Sequence, residues 1–434
     1  MTTAEPAPQP ARTLELWDLL KRPLTDNDGE PIGRLSDVIV RWRGDEPPLV
    51  TGLVAAVAGR EVFAPVEQAS AADPAVLRLT TNELDLRKFE RRHGEVLLRA
   101  DVLGHRLIDV ESARLVKAAD LLLEQRNGDW VLVGVDTRRR PRRLFGGRGT
   151  SAGQGGAEVF RDWSEFEPLI GHAGSALLRG PFARIRRLKP AQIADLLEEA
   201  SKEEESEILG QVHADPELEA DVFEELDEDL ATRLLGARTD PDIAAVLARM
   251  RADDAADAVA ELPQSRRQPV LDLLPAGQRT KVLTLMGFNP ASAGGLMSVD
   301  FVAVPPETRA ADALAAVASA SSLEPEALTS VHVVDQRGRL RGVVRLVALV
   351  QADRSAAVTD IYDDDPVRVG AGTDVVDVAV LMSDFNLISV PVVDEHRTMI
   401  GIITVDDVLE ATLPGDWRRR EAAKPPDTHH GDAS

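Results

Sequence analysis

A register of 24 residues constrains this chain more than any other feature of its sequence. The apolar series that begins at Val222-Phe223 returns at Val246-Leu247 and at Val270-Leu271, with a looser copy at Leu196-Leu197. A period of this length, with apolar residues at helical spacing, is typical of paired short helices that bury their apolar faces by stacking on neighbouring pairs. Three prolines lie between the apolar runs, where helices stop or begin: Pro241, Pro263 and Pro275. The sequence therefore predicts an all-α solenoid of helical hairpins.

The same stretch carries most of the charge of the protein. Residues 190–262 hold 22 Asp/Glu against 5 Lys/Arg, a net charge of −17 out of −23 for the whole chain. Because apolar residues occupy one helix face, the carboxylates fall on the opposite faces, where like charges repel unless cations lie among them. Such an acidic chain argues against nucleic-acid binding and favours metal cations or basic proteins as partners. The alternative is a solvated acidic repeat that binds no ligand.

Composition and motifs exclude several classes of protein. The 434 residues contain no cysteine, which excludes disulfides and thiolate metal sites and fits a reducing cytoplasm. The longest apolar runs are far shorter than the roughly 18 residues of a membrane span. The sequence has no clustered histidine ligand set, no Gly-x-Ser-x-Gly and no P-loop, so we predict that the protein is not an enzyme. Residues 1–12 and 414–434 are predicted to be a disordered lead and tail.

Residues 13–178 show a duplicated pattern of short β-type runs separated by turns. Ile32–Val38 has a counterpart in Gly104–Val110, and Leu49–Val54 has one in Trp130–Val135. Two copies suggest either two small barrels or one pseudo-symmetric pair. The pattern resembles the PRC-barrel, the small β-barrel of the photosynthetic reaction centre H subunit and of ribosome-maturation proteins. The resemblance implies a module that docks onto other proteins and performs no chemistry.

One strongly basic run, Arg138–Arg143, is followed by the Gly-rich loop Gly146–Gly156. It is interpreted as a solvated strand end, or alternatively as a contact with anionic lipid headgroups or an acidic partner, where each arginine contributes about 1 kcal/mol. No aromatic residues interleave with the run as they do in single-strand stacking platforms, so nucleic acid is not an expected partner. The expected location is the cytoplasm, including the inner face of the membrane.

The helical segment 183–297 carries three further motifs. They are Ala-Asp-Leu-Leu-Glu-Glu at 194–199, an Asp-rich run that begins at Asp253 and ends in Glu261-Leu262-Pro263, and the closing Phe288–Met297. Together they resemble the cytosolic N domain of MgtE magnesium channels. The closing motif departs from the family, because the acidic pair before its serine is reduced to Ala291 and any ligand from that position is lost. The resemblance implies that Mg²⁺ between this domain and the following one neutralises facing carboxylates.

The residues of the Asp-rich run support a metal site independently. Asp253 and Asp257 form an i, i+4 pair on one helix face, and Asp254 lies beside them. Hard oxygen ligands suit Mg²⁺, which keeps several waters and uses one or two carboxylates per site. We predict Mg²⁺ as the first cation and Mn²⁺ as the second. The alternative is that the three aspartates form a solvated helix face.

A second internal repeat covers residues 298–413. Ser330–Asp335 matches Ser389–Asp394, and Gly342-Val343-Val344 matches Gly401-Ile402-Ile403. Each half, 298–352 and 357–413, has the order strand–helix–strand–turn–strand–helix. The halves resemble two CBS motifs, which pair into one α/β module. The resemblance implies a homodimer formed through this CBS pair.

CBS pairs often bind adenine nucleotides through Gly-h-h-Ser/Thr-x-x-Asp, where h is an apolar residue. Thr404 and Asp407 satisfy this pattern, whereas the first motif has Arg345 and Ala348 at the same positions. Arg345 could still bind a phosphate bidentately. The alternative for Thr404 is that it N-caps the final helix. The MgtE resemblance also implies that three carboxylates of this helix face the interdomain metal: Asp406, Asp407 and Glu410.

These observations predict a multidomain α+β protein with a PRC-like β module, an acidic helical solenoid and a CBS pair. The predicted function is a cytosolic Mg²⁺-responsive regulator that changes its domain arrangement and modulates a partner such as a membrane divalent-metal transporter. We do not expect channel activity, because the connecting helix and membrane domain of MgtE do not follow Pro414. The alternatives are a metal-indifferent adaptor whose CBS pair senses adenine nucleotide and a purely structural tether.

Overall fold

A computed structural model describes residues 12–44, 46–70, 73, 75–81, 84–138, 159–169, 184–321 and 323–413. The chain divides into two compact units, Met1–Leu230 and Ala231–Ser434, which are described separately. Of the predicted basic run, only Arg138 belongs to the described residues. The Gly-rich loop and the predicted disordered tail lie outside them, as does the predicted lead except Arg12.

The first unit is built mainly from β-strands. Its strands are β1 (Thr13–Glu15), β2 (Pro23–Thr25), β3 (Pro31–Arg43), β4 (Glu46–Val57), β5 (Arg60–Pro65), β6 (Ala69–Ser70), β7 (Leu77–Leu79), β8 (Val96–Leu97), β9 (Arg106–Asp109), β10 (Arg114–Lys117), β11 (Asp120–Arg126), β12 (Asp129–Asp136), β13 (Arg161–Asp162) and β14 (Phe166–Pro168). A short helix, α1 (Leu16–Lys21), follows β1. Among the described residues, one sheet has the order β1-β11-β12-β4-β3-β2-β7-β6, with β13 on β12, β5 on β4 and β8 on β3, and a second has the order β10-β9-β14.

Both halves of the predicted duplication contribute to the larger sheet. The hairpins β3–β4 and β11–β12 lie side by side through the β12–β4 pairing, while β1 pairs with β11 and β8 pairs with β3. The short strands of each half thus pair with the hairpin of the other half. This topology supports one pseudo-symmetric pair rather than two separate barrels.

Two buried aspartates mark the equivalence of the halves. Asp37 on β3 accepts hydrogen bonds from the backbone N–H groups of Arg99 and Ala100, in the π-helical turn Leu98–Val102. Asp120 on β11 accepts one from the backbone N–H of Trp17 in α1. Both carboxylates therefore anchor the start of a helical turn from the other half. The structural counterpart of Asp37 is Asp120, whereas the sequence match aligns Asp37 with Asp109.

The described part of the first unit continues with the helices α2 (Pro190–Glu199), α3 (Lys202–Val212) and α4 (Pro216–Glu224). Arg106 of β9 connects them to the β module. Its Nε donates to Glu204 Oε1 at 2.8 Å, and its Nη1 donates to the carbonyl oxygen of Glu199 at the end of α2, at 3.3 Å. One side chain therefore joins the small sheet to the first helices.

The predicted 24-residue register is confirmed by the helix boundaries. The helices that follow are α5 (Glu228–Gly236), α6 (Asp240–Leu247), α7 (Ala252–Glu261), α8 (Gln264–Leu273) and α9 (Ala276–Leu285). Their hairpins α6–α7 and α8–α9 begin 24 residues apart, at Asp240 and Gln264, and α4 begins another 24 residues earlier, at Pro216. The apolar pairs that mark the register are buried, as the solenoid prediction requires: Leu196-Leu197, Val222-Phe223, Val246-Leu247 and Val270-Leu271.

The C-terminal part of the second unit has the predicted repeated order. The first half contains β15 (Ala303–Val304), α10 (Ala310–Ser319), β16 (Ser330–Val334), β17 (Leu340–Arg345) and α11 (Leu346–Gln351), and the second contains β18 (Val369–Gly370), α12 (Val375–Phe385), β19 (Ser389–Val393), β20 (Met399–Thr404) and α13 (Val405–Thr412). Each half forms a three-stranded sheet with one parallel and one antiparallel pairing. No helix within the described ranges is long and apolar enough to cross a membrane.

Candidate functional site

The candidate site begins at the turn that precedes α7. The side-chain nitrogen of Gln278 donates to the carbonyl oxygens of Leu247 at 3.1 Å and of Met250 at 2.8 Å, which fixes this turn. Arg251 is the N-cap residue of α7, and the acidic pair of its first turn is Asp253 and Asp254. Negative charge at this end of a helix is favourable because the helix dipole is positive there.

Arg251 joins three segments that are distant in sequence. Its Nε donates to Asp254 Oδ2 at 2.7 Å, and its Nη1 donates to Glu324 Oε1 at 2.6 Å. The same Nη1 lies 3.4 Å from Asp407 Oδ1. Glu324 precedes β16 in the first α/β half, and Asp407 lies in α13 of the second. A single guanidinium therefore connects the helical repeat to both α/β halves within the second unit.

Negative charge exceeds positive charge around this guanidinium. Burial raises the pKa of Asp253 to about 7 in spite of the attraction of Arg251, and the charges of Asp407 and Glu324 raise it further. Burial also raises the pKa of Asp407 and of Glu324. For Arg251, burial alone would lower the pKa, but the neighbouring carboxylates outweigh it and hold the guanidinium fully charged. Three carboxylates thus bind one arginine and a fourth, Asp253, lies near its charge, in a setting where ionisation is costly.

Thr404 and Asp407 cap the helix that carries the site. The Thr404 hydroxyl donates to Asp407 Oδ2 at 2.6 Å, and the Thr404 backbone N–H donates to the same oxygen at 3.1 Å. The Asp407 N–H returns a longer bond, 3.4 Å, to Thr404 Oγ1. Both side chains are buried. The helix-capping alternative stated from the sequence is thus the arrangement that the structure shows. At the matching place Arg345 is exposed and makes no capping bond.

The structure brings together only part of the predicted metal set. Asp254 and Asp407 contact Arg251, as does Glu324, which the sequence reasoning missed, and Asp253 lies near enough to interact with its charge. The other predicted ligands are exposed on the helix surfaces: Asp257, Asp406 and Glu410. In the described part of the chain, no group of three or more acidic or histidine side chains is arranged to hold a metal ion. The carboxylates are arranged around a guanidinium instead.

The first unit contains a cavity of about 360 Å³ beside β3, lined by Ser36, Asp37, Glu61, Arg99 and their apolar neighbours. Burial raises the pKa of Asp37 to about 6, although three backbone N–H groups donate to its carboxylate. The Ser36 hydroxyl donates to Glu61 at 2.6 Å. Ser36 binds Glu61, and Asp37 binds backbone N–H groups of the helical turn at Leu98–Val102. Asp120 makes the equivalent bond in the other half of the sheet. We therefore assign the polar groups of this cavity a structural role.

Comparison with known families identifies the helical and C-terminal parts. Residues 188–291 match the MgtE intracellular N domain. Residues 293–355 and 358–413 each match the CBS domain. The chain contains an MgtE intracellular N domain and a pair of CBS domains. Arg251 therefore lies in the MgtE N domain and binds both domains of the CBS pair.

Curated relatives and one solved structure are similar to part of this chain. The magnesium transporter MgtE of Thermus thermophilus is 36% identical over 183 residues, which are 42% of this chain and 40% of that protein. The magnesium transporter MgtE of Bacillus subtilis is 23% identical over 229 residues, 53% of this chain and 50% of that protein. The match thus spans half or less of these relatives. A crystal structure of the cytosolic domain of the Mg²⁺ channel MgtE in complex with ATP is 29% identical, with a TM-score of 0.50 over 55% of this chain and 93% of that one.

Proposed function

We propose that this protein is a divalent-cation-responsive regulator in which Mg²⁺ acts at the acidic junction between the MgtE N domain and the CBS pair. One observation carries the proposal: three carboxylates contact a single guanidinium, a fourth, Asp253, lies near its charge, and together they leave an excess of negative charge. A cation that joins them would relieve the repulsion that burial intensifies. The relatives named as magnesium transporters support Mg²⁺ as the first candidate. We propose Mn²⁺ as the second.

The donor chemistry of the junction fits Mg²⁺. Asp253, Asp254 and Asp407 supply hard carboxylate oxygens, and the exposed Asp257, Asp406 and Glu410 lie on the same two helices, α7 and α13. Mg²⁺ keeps several of its waters and takes one or two carboxylates directly, so it does not require a preformed cage of protein ligands. The ion would weaken the ion pairs between Arg251 and some of these carboxylates and neutralise part of their charge.

Thermal unfolding of the full chain in chelator and in MgCl₂ tests this proposal. Mg²⁺ at a hundred times its dissociation constant stabilises the folded state by about 2.7 kcal/mol. In a unit of this size we expect Tm to rise by about 5 to 10 °C. The double variant Asp253→Asn with Asp254→Asn should lose most of that rise.

A matched control is Asp272→Asn in α8. Asp272 is exposed and lies 3.6 Å from Arg279, away from the junction. The substitution Asp272→Asn removes a carboxylate from the same MgtE N domain, outside the junction. The rise in Tm that Mg²⁺ causes should therefore equal that of the wild type. A Tm that is identical in chelator and in MgCl₂, or an equal loss of response in this control, contradicts the proposal.

An adenine-nucleotide response is the second candidate. It is favoured by the Thr404–Asp407 pattern and by the relative solved in complex with ATP. Arg345, at the matching place in the first CBS domain, is exposed and could meet a phosphate. Calorimetric titration with ATP and AMP tests this, with Thr404→Val as the variant expected to weaken binding. No heat of binding with the wild type would remove this candidate.

We also propose a homodimer formed through the CBS pair. Several apolar side chains of its helices are 47–67% exposed, and contact with a second copy would remove them from water: Val347, Val350, Val376, Val380 and Leu409. Light scattering should give twice the mass of the monomer, and Val350→Glu with Val380→Glu should give a monomer. Dimeric mass in that variant would contradict this interface.

The N-terminal β module is the part of the chain to which we assign partner binding. The N-terminal β module is proposed to be the docking element, with a membrane divalent-metal transporter at the cytosolic face as its partner. Its hairpins, β3–β4 and β11–β12, together provide an extended framework on which such a surface can form. Co-purification of a transporter with the full chain, and its loss when residues 13–178 are removed, is the expected result.

A further inference from the structure

Arg251 makes the junction a three-way connection rather than a simple ion pair. It binds Asp254 within its own helix, Glu324 of the first CBS domain and Asp407 of the second. The sequence separations from Arg251 to the two CBS partners are 73 and 156 residues. A contact between such distant segments holds them in one arrangement, and removing its shared member releases every pair at once.

Burial makes this connection stronger than a surface ion pair. The side chain of Arg251 is 26% exposed and that of Asp407 is 9% exposed. Exposed pairs contribute little because water screens them, whereas partly buried charge-assisted bonds are about twice as strong as neutral ones. Loss of the guanidinium would also leave the carboxylates buried beside one another without a counter-charge.

A second ion pair in this unit shows the contrast. Lys281 on α9 binds both carboxylate oxygens of Asp300 at 2.7 Å, with the two side chains 37% and 40% exposed. It connects α9 to the start of the first CBS domain and contacts neither Glu324 nor Asp407. Within the described residues, Arg251 alone contacts both carboxylates.

We infer that Arg251 is a built-in counter-ion that latches helix α7 of the MgtE N domain onto both CBS domains without a bound metal ion. The guanidinium supplies positive charge to Asp254, Glu324 and Asp407, which come from three separate segments. The second step, that Mg²⁺ and Arg251 compete for these carboxylates, rests on the proposed function. The latch itself does not, because it concerns the protein in the absence of any added cation.

Hydrogen–deuterium exchange of the full chain in chelator tests the latch. In the wild type we expect protection of α7, of 323–329 and of 405–412. Arg251→Met keeps the apolar stem but removes the charge, and exchange in these three segments should accelerate by about ten-fold or more. Arg251→Lys restores the charge without the planar fork, and should give an intermediate rate.

The matched control is Arg279→Met, which removes a positive charge from an exposed pair on α9 in the same domain. It should leave the three segments as protected as in the wild type. Exchange in Arg251→Met within two-fold of the wild type would overturn the latch. If Arg251→Met does not fold, the test uses Arg251→Lys instead. Exchange in the three segments of Arg251→Lys as slow as in the wild type would overturn the role of the planar guanidinium group.

A further measurement distinguishes the latch from the proposed response to Mg²⁺. MgCl₂ added to Arg251→Met should restore protection of α7, because Mg²⁺ then meets no competing guanidinium. Restoration supports competition between Mg²⁺ and Arg251. Absence of restoration overturns the competition and counts against the Mg²⁺ proposal, while accelerated exchange in chelator still establishes the latch.

Discussion

The two CBS domains have nearly the same backbone and different chemistry. In both, the central antiparallel pair has a register shift at the same place, between Val333 and Val334 and between Val392 and Val393. Gly342 and Gly401 lie at matching positions on β17 and β20. The repeated sequence pattern therefore determines the strand pairing in both copies.

The two CBS domains differ at the start of their last helix and in the connection that precedes β16 or β19. The second domain has Thr404 and Asp407 as a capping box, whereas the first has exposed Arg345 and half-buried Ala348. The first domain instead supplies Glu324 from the connection 320–329, between α10 and β16. The equivalent connection of the second domain, 386–388 between α12 and β19, is shorter. Each domain thus presents one carboxylate to Arg251, but from places that are not equivalent in the repeat. A shared fold does not imply a shared site.

The largest expected effect tests what the two domains share. A Cβ added at Gly342 would lie 2.0 Å from Tyr362 Cδ2 and 2.5 Å from the carbonyl oxygen of Asp363. Gly342→Ala should lower the free energy of unfolding by about 3 kcal/mol, because backbone must move to admit the methyl group. Gly401→Ala should cost slightly less, since one of its close neighbours is the flexible side chain of Met297.

Gly372→Ala is the control for this pair, since a Cβ there meets no atom within 4 Å. Denaturant unfolding of the three variants measures the differences. A Gly342→Ala variant as stable as Gly372→Ala would show that the equivalence of the two strand pairs is not energetically important.

The second prediction concerns a residue that only the first domain has. His332 is fully buried on β16, where the second domain has Pro391. Its Nδ1–H donates to the carbonyl oxygen of Val302 at 3.2 Å, and its Nε2 has no hydrogen-bond partner. Burial lowers the pKa of His332 to about 4, against 6.5 for an ordinary histidine.

Between pH 6.5 and pH 4 the unfolded chain binds the proton and the folded chain does not, so stability falls as the pH is lowered. The full loss is about 3 kcal/mol, present in the wild type and absent in His332→Leu. Thermal melting at pH 7, 6, 5 and 4 measures it. The exposed His396→Ala should follow the wild type, and equal acid sensitivity in His332→Leu would contradict the assignment.

Much of the fold follows from periodic features of the sequence. The 24-residue register predicts hairpins whose starts the structure places at Asp240 and Gln264, because an amphipathic period is a local property of the chain. The match between Asp37 and Asp109 fails for the opposite reason. Asp37 and Asp120 are equivalent through bonds to helical turns of the other half, and such crossed pairing leaves no local signal.

The candidate site was predictable in part for the same reason. Asp253 and Asp407 lie within local motifs and are indeed brought together with Arg251. Asp257, one turn beyond Asp253, is exposed, whereas Asp254 in the first turn of α7 binds Arg251. Arg251 stands out as a cation in an acidic stretch, but only the tertiary fold shows that it meets Glu324 at a separation of 73 residues.

The third prediction isolates the capping box of the second domain. Thr404→Val keeps the shape of the side chain and removes the hydroxyl that binds Asp407. It should lower the free energy of unfolding by about 1 to 2 kcal/mol, since an N-cap is lost and a buried N–H loses its acceptor. Urea unfolding measures this. Thr412→Val, at the other end of α13, is the control and should cost less. An equal cost would contradict a special role for the cap.

The smallest expected effects come from Arg345, the counterpart of Thr404. Arg345→Ala should change stability by no more than about 0.5 kcal/mol, because the side chain is exposed and makes no capping bond. The backbone of Arg345 already has N-cap geometry, with φ −69° and ψ 140°. Arg345→Thr with Ala348→Asp therefore places a complete capping box on α11 and should stabilise the first domain by up to about 1 kcal/mol. A gain would show that the two domains differ here by local chemistry alone. No gain in urea unfolding would mean that the box depends on its tertiary setting, in which Asp407 is held by Arg251 as well as by Thr404.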